Sequence, residues 1–192
     1  MKMKIKEVVT YEFNELNEKA KQKAMDYHRD INVRDEWYNY LLVNLTDTIN
    51  ENIGLELEPS MINFEFMSRN NSIWVENKDL MSALCKKYPE IADFDLPNKF
   101  GLFCNYLGGG MSSGLMKSEF KMELLSFYEE IDELRAVVLR KTIEKDLIDL
   151  QNRLEIFYKN LYESYNHLVS DESVGESLEL NEFEFDESGD RI

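Results

Sequence analysis

The feature that most limits how this chain can fold is a helical stripe toward its C-terminal end. Ile131, Leu134, Val138, Ile143 and Leu147, continuing to Leu161, Tyr165 and Leu168, step mostly by threes and fours, and no Gly or Pro interrupts them. A helix of some forty residues runs on the order of 60 Å at about 1.5 Å per residue. A single domain of this length has no surface long enough to cover it. Either the helix breaks near Arg140 and Lys141 to give a helical hairpin, or part of it projects and pairs with a second copy, making a homo-oligomer.

The remainder of the chain carries enough core material. Of 192 residues 43% are hydrophobic, with 11 Phe and 10 Tyr, and a chain this long buries roughly 70% of its unfolded surface without structural metal or disulfides. Charge speaks to partners rather than fold: 22 Lys and Arg stand against 38 Asp and Glu, a formal net charge of -16. That balance repels phosphate backbones, so direct nucleic-acid binding is disfavoured. Met1 to Thr10 never builds the apolar core of a signal peptide, and no stretch approaches the roughly 18 apolar residues of a membrane span. The expectation is a cytoplasmic protein without membrane contact, its Cys85 and Cys104 buried as free thiols in a reducing compartment.

The order of elements follows from pattern. Ile5, Val9, Tyr11 and Phe13 share one parity and predict an opening strand, although Glu7 and Val8 break the alternation. Asn14 and Asn17 offer caps to a helix over 18–30 with Ala20, Ala24 and Tyr27 on one face. Asp35 offers one to a second helix whose stripe is Trp37, Leu41, Leu45, Thr48 and Ile49, with Trp37, Tyr40 and Leu41 expected in the core and Gly54 in the left-handed position past its end. Ile62, Phe64 and Phe66 pair across the turn 69–72 with Ile73, Trp74 and Val75, and a short helix from Asp79 to Tyr88 stops at Pro89. After a connecting loop at Phe94 to Asn98, a second hairpin joins Phe100–Tyr106 to Phe120–Leu124 around Gly108–Gly114. Ser170 caps a terminal helix, and Phe183 with Phe185 forms a last strand before Ser188-Gly189. The fold class is α+β: a small antiparallel sheet, an N-terminal helical hairpin and a long C-terminal helix or helical hairpin. Three segments are expected, an α+β core at 1–125, the long helical region at 126–170, and an acidic C-terminal helix and strand at 171–192.

Both ends of the chain carry a further pattern. Tyr11-Glu12-Phe13-Asn14-Glu15-Leu16, followed by Ala20-Lys21 and Ala24 and then Trp37, resembles the opening of a group of phage and prophage proteins. That group is labelled as the N-terminal domain of an antitoxin of a toxin-antitoxin stability system. Tyr165-Asn166-His167-Leu168-Val169-Ser170-Asp171-Glu172-Ser173-Val174 and Asn181-Glu182-Phe183-Glu184-Phe185 resemble the same group's closing segments. The middle departs from it, with Ser68 to Ser72 standing where a longer glycine-rich stretch is usual. The resemblance implies a small phage accessory protein acting on another protein, in which an antitoxin role is one reading.

The residues that could carry chemistry point the same way. Gly108 to Gly114 lacks the Gly-Lys-Ser/Thr of a phosphate loop and lies between strands, so it reads as a hairpin tip, with Met111 and Met116 as adaptable contacts for a partner. His28 and His167 form no ligand motif and read as surface or half-buried packing residues, and no nucleophile stands in a signature context. No catalytic residue, cofactor or metal site is therefore expected, and an enzyme of unknown reaction ranks last of three classes. Residues 171–192 hold nine Asp or Glu and one Arg, half the excess negative charge. Glu182, Glu184, Asp186 and Glu187 are consequently candidate contacts, beside Met111, for a host or phage protein with a basic surface. The favoured class is a phage-encoded inhibitor covering such a surface on a host defence nuclease, as anti-CRISPR proteins do; the alternative is an antitoxin wrapped on its toxin.

Overall fold

A computed structural model describes residues 9–67, 72–89, 102–106, 116–118 and 133–192. The fold is α+β, with a long C-terminal helix. The chain divides into two compact units, Met1–Trp37 with Leu161–Ile192, and Tyr38–Asn160. The expected segment boundaries at 125/126 and 170/171 fall inside these units.

The first unit joins the two ends of the sequence. Strand β1 (Tyr11–Glu12) pairs antiparallel with β6 (Glu184–Phe185), with Tyr11 opposite Phe185. The strand ends at Glu12, because a 3-10 turn at Phe13–Glu15 carries Phe13 into the core, and the expected start at Ile5 lies outside the described residues. Helix α1 (Glu18–Tyr27) is capped by Asn17, whose Oδ1 accepts from the backbone N–H of Lys19 and Ala20, both at 3.1 Å. Its buried face is Ala20, Ala24 and then His28, spaced by four; Tyr27, expected on that face, is 77% exposed.

Helix α5 (Asp171–Leu180) lays Val174, Gly175 and Leu178 onto the same core, and Ser170 caps it as expected, accepting from Ser173 N–H. A Cβ at Gly175 would meet the Phe13 ring at 3.4 Å, ordinary contact, so ring and helix leave room there for a small side chain. Asn32 ties the parts together: its amide donates to the carbonyls of Leu168 and Ser173 and its carbonyl accepts from Ser177 Oγ at 2.6 Å.

The second unit holds α2 (Asn39–Asn52), α3 (Asn77–Lys87) and a four-stranded antiparallel sheet in the order β2 (Ile62–Glu65), β3 (Ser72–Val75), β4 (Leu102–Tyr106), β5 (Met116–Ser118). The first hairpin has the expected pairing, with Ile62 opposite Val75 and Phe64 opposite Ile73, and Ser72 lies in the strand rather than the turn. In the second, the return strand comes at Met116–Ser118, with Tyr106 opposite Met116. The expected return at Phe120–Leu124 lies outside the described residues, as do the turn at 69–71, the loop Phe94–Asn98 and the Gly108–Gly114 tip with Met111.

Asp35 does not cap α2; Tyr38 takes the cap position without a side-chain capping bond to the helix, which starts at Asn39. Its buried face is Leu42, Leu45, Thr46 and Ile49; Leu45 and Ile49 are buried as expected, whereas Tyr40 is 58% exposed, Thr48 is exposed, and Trp37 and Leu41 are half-buried. Gly54 ends the helix at φ +72, as expected. Asn50 then clamps the chain beyond by exchanging two hydrogen bonds with the backbone of Leu57.

Helix α4 (Glu133–Leu168) is continuous for 36 residues and does not break at Arg140 and Lys141. Of the stripe whose length suggested pairing with a second copy, Ile143, Leu147, Leu150, Leu154 and Leu161 are buried and Tyr165 and Leu168 half-buried, while Ile131 lies outside the described residues. Val138 is exposed, together with Ile148 and Ile156. In the second unit α4 is fixed by a polar lock: Asp146, 8% exposed, accepts from both Lys87 Nζ and Tyr88 OH, and Lys87 also donates to the Ile53 carbonyl. Cys85 is half-buried rather than buried. No helix among the described residues is long and apolar enough to cross a membrane.

Candidate interaction surface

The acidic C-terminal segment is folded onto the first unit. Leu178, Phe183 and Phe185 face its core, and Phe185 meets the Phe13 ring edge-on with centroids 6.2 Å apart. The outward positions are therefore acidic, and Glu179, Glu182, Glu184 and Glu187 are all exposed. Glu12, Glu179, Glu182 and Glu184 rim a notch of about 440 Å³ whose apolar lining is Phe13, Leu178 and Phe183. Leu180 is 83% exposed. Glu182, Glu184 and Glu187 form no ion pair with another described residue. The arrangement offers carboxylates around a small apolar floor, a pattern suited to a basic partner side chain with an aliphatic stem.

Glu182 has an unusual backbone. Phe183 N–H returns to the Leu178 carbonyl and Glu182 N–H to that of Glu179, the two bonds of a helix-ending motif in which the intervening residue turns left-handed. Glycine normally fills that position, yet here Glu182 holds it at φ +51. The conformation strains any side chain by about 1 kcal/mol or more.

Asp186 differs from its neighbours. Its Oδ1 accepts from Ser188 N–H at 2.8 Å, Ser188 Oγ at 2.8 Å and Asp190 N–H at 3.1 Å, closing the turn to Gly189. The Ser188 hydroxyl, then the backbone N–H groups of Asp190 and Ser188, hold this carboxyl below the usual range. Asp190 is likewise lowered, chiefly by Lys23, whose ammonium lies 2.7 Å away. Asp171 is engaged by Arg29, which also bonds Asp26. Of the sequence candidates, Glu182, Glu184 and Glu187 thus share an open acidic face, Asp186 builds the turn beside it, and Met111 lies outside the described residues.

His167 is exposed at the end of α4, whereas His28 is buried at 3% exposure with neither ring nitrogen hydrogen-bonded among the described residues. Sequence reading placed Tyr27 inward; the spacing by four from Ala20 and Ala24 was the signal for His28. No group of three or more His, Cys, Asp or Glu among the described residues could hold a metal ion. Compared with family models, curated proteins and solved structures, the chain gives no match.

Proposed function

We propose that the protein is a non-enzymatic phage accessory protein of the cytoplasm that binds and inhibits a host protein through the acidic face around Glu182, Glu184 and Glu187. The target surface is basic, and a host defence nuclease is the class such a face fits, because carboxylates at fixed spacing can replace phosphates in a cationic groove. The observation that carries this reading is Glu182. A carboxylate is kept outward at a left-handed position where glycine relieves strain, and strain of this kind gathers at functional sites. The resemblance at both chain ends supports the same general role and, in its label, the antitoxin alternative, which would use the same face on a toxin.

A partner captured from host lysate provides the test. Changing Glu182, Glu184 and Glu187 together to Gln should slow association several-fold at low salt and leave dissociation nearly unchanged, since exposed charges steer encounter. Raising salt should slow the parent toward the variant's rate. An association rate indifferent to both would overturn the assignment of this face.

A further inference from the structure

We propose that the cavity lined by Tyr27, His28, Arg34, Asp190, Arg191 and Ile192 is a binding site for a small oxyanion, a phosphate or carboxylate group held by the two guanidinium groups and the His28 imidazole. The cavity measures about 480 Å³, within the range of small-ligand sites, roughly 300 to 1,000 Å³. It is built wholly from the first unit: the end of α1, the 3-10 turn Ile31–Val33 that leads to Arg34, and the C-terminal turn.

His28 is the observation that demands a ligand. It is 3% exposed and both ring nitrogens lack a hydrogen-bond partner among the described residues, although a neutral imidazole carries one donor and one acceptor. Aromatic rings hold it in place: Tyr27 edge-on at 5.0 Å, Phe183 at 5.5 Å and Phe185 at 6.3 Å. These ring contacts offer the imidazole N–H no lone pair of the kind an oxyanion supplies, and buried polar groups are as a rule satisfied.

Charge selects the ligand's sign. Arg34 bonds Asp30 through one amino group at 3.1 Å, leaving further donors of its fork. Arg191 lies over the Phe183 ring at 3.7 Å and forms no ion pair among the described residues. Asp190 is matched by Lys23 at 2.7 Å and Asp30 shares Arg34, so Arg191 is the cation of the cavity without an ion pair among the described residues and Arg34 contributes its remaining donors. Burial, then Arg191 and Arg34, depress the His28 pKa against an opposing pull from Asp30, so both cations act on this ring. In a chain of net charge -16, this is a site for an anion rather than a cation. Planar guanidinium forks suit carboxylate and phosphate, and the His28 N–H adds a neutral donor.

The test uses the full chain and its two histidines, His28 and His167, resolved by the ring signals in nuclear magnetic resonance. Inorganic phosphate and acetate are titrated separately at constant ionic strength, which separates the two oxyanion classes. The expected result is a saturable shift of the His28 signals with at least one of them, an upward move of the His28 pKa when bound, and a still His167. Arg34→Gln and Arg191→Gln should each weaken binding about tenfold, with Arg191→Lys intermediate; unchanged His167 signals and an unchanged Tm in the unliganded variants verify their fold, since both arginines act on the His28 ring itself. His28 signals that respond to neither anion, or both histidines drifting together without saturation, would overturn the site. Equal affinity in the arginine variants would overturn it too.

Discussion

Replacing Gly189 by Ala should detach the C-terminal turn from α1. Gly189 is buried at φ +87, and a Cβ built on it would stand 2.3 Å from the Ala20 carbonyl oxygen and 3.0 Å from its carbon, more than 1 Å inside ordinary contact. Ala20 belongs to the core face of a helix, so the turn must move instead. Moving it breaks the Asp186 bonds to Ser188 and Asp190 and the pair between Lys23 and Asp190. Left-handed strain in a non-glycine residue costs about 1 kcal/mol, and forcing the Cβ against the Ala20 carbonyl about 2 kcal/mol. The total is about 3 kcal/mol, a fall in Tm of roughly 6 to 12 °C for a chain of this size. Gly175→Ala is the matched control. Its Cβ would sit at 3.4 Å from Phe13, so the helical gain of up to about 1 kcal/mol for Ala over Gly is kept. Urea unfolding measures both variants, and amide exchange across residues 184–192 locates the damage. If Gly189→Ala unfolds within about 0.5 kcal/mol of the parent, or the control falls as far, the packing argument is wrong.

Glu182→Gly should raise stability by about 1 kcal/mol in chemical denaturation while weakening partner association, separating strain from charge. Asp146→Ala removes the acceptor shared by Lys87 and Tyr88 and should cost about 3 kcal/mol by the same measurement. Trp37→Ala should cost about 2 kcal/mol, less than a core aromatic, because Trp37 is half-buried against Tyr165 with ring centroids 6.1 Å apart. Burial first, then Arg191 and Arg34, lower the His28 pKa; the unfolded chain therefore binds the extra proton, and stability should decline as pH falls from about 6.5 toward the folded value. Bonds from Arg29, Arg34, Ser188 and Lys23 lower Asp26, Asp30, Asp186 and Asp190 respectively, and a second decline should follow below about pH 4. His28→Phe should abolish the first decline and keep the second.

Local chemistry was readable where one residue decides a conformation. Asn17, Gly54 and Ser170 act at the helix ends their types suggest, because capping needs neighbours in sequence alone. The first hairpin was readable because its two strands carry matching alternation across a short turn. Faces set by distant neighbours were less so. On α2 Leu42 rather than Leu41 is buried, and on α1 His28 rather than Tyr27, since which side of a helix is covered depends on partners far along the chain. The acidic face was visible as a charge excess, but the separate employment of Asp186 in a turn required its geometry with Ser188 and Asp190. The gathering of Arg34, Arg191 and His28 had no local signal, since Arg34 and Arg191 lie more than 150 residues apart.

The union of both chain ends in one unit sets an order in time. Met1–Trp37 leaves the ribosome well before Leu161–Ile192, with about 120 residues of the second unit between them. At about 10 residues per second the early segment waits on the order of 12 s for its complement. During that interval Phe13, Leu16, Ala20 and Ala24 have neither Val174 nor Phe185 to cover them, while Tyr38–Asn160 has all of its own residues once Asn160 emerges. A chain stopped before Leu161 therefore exposes an apolar segment open to proteases and chaperones, and it lacks the acidic face altogether. Translation to the far end thus becomes the step that both covers the early segment and adds the acidic face.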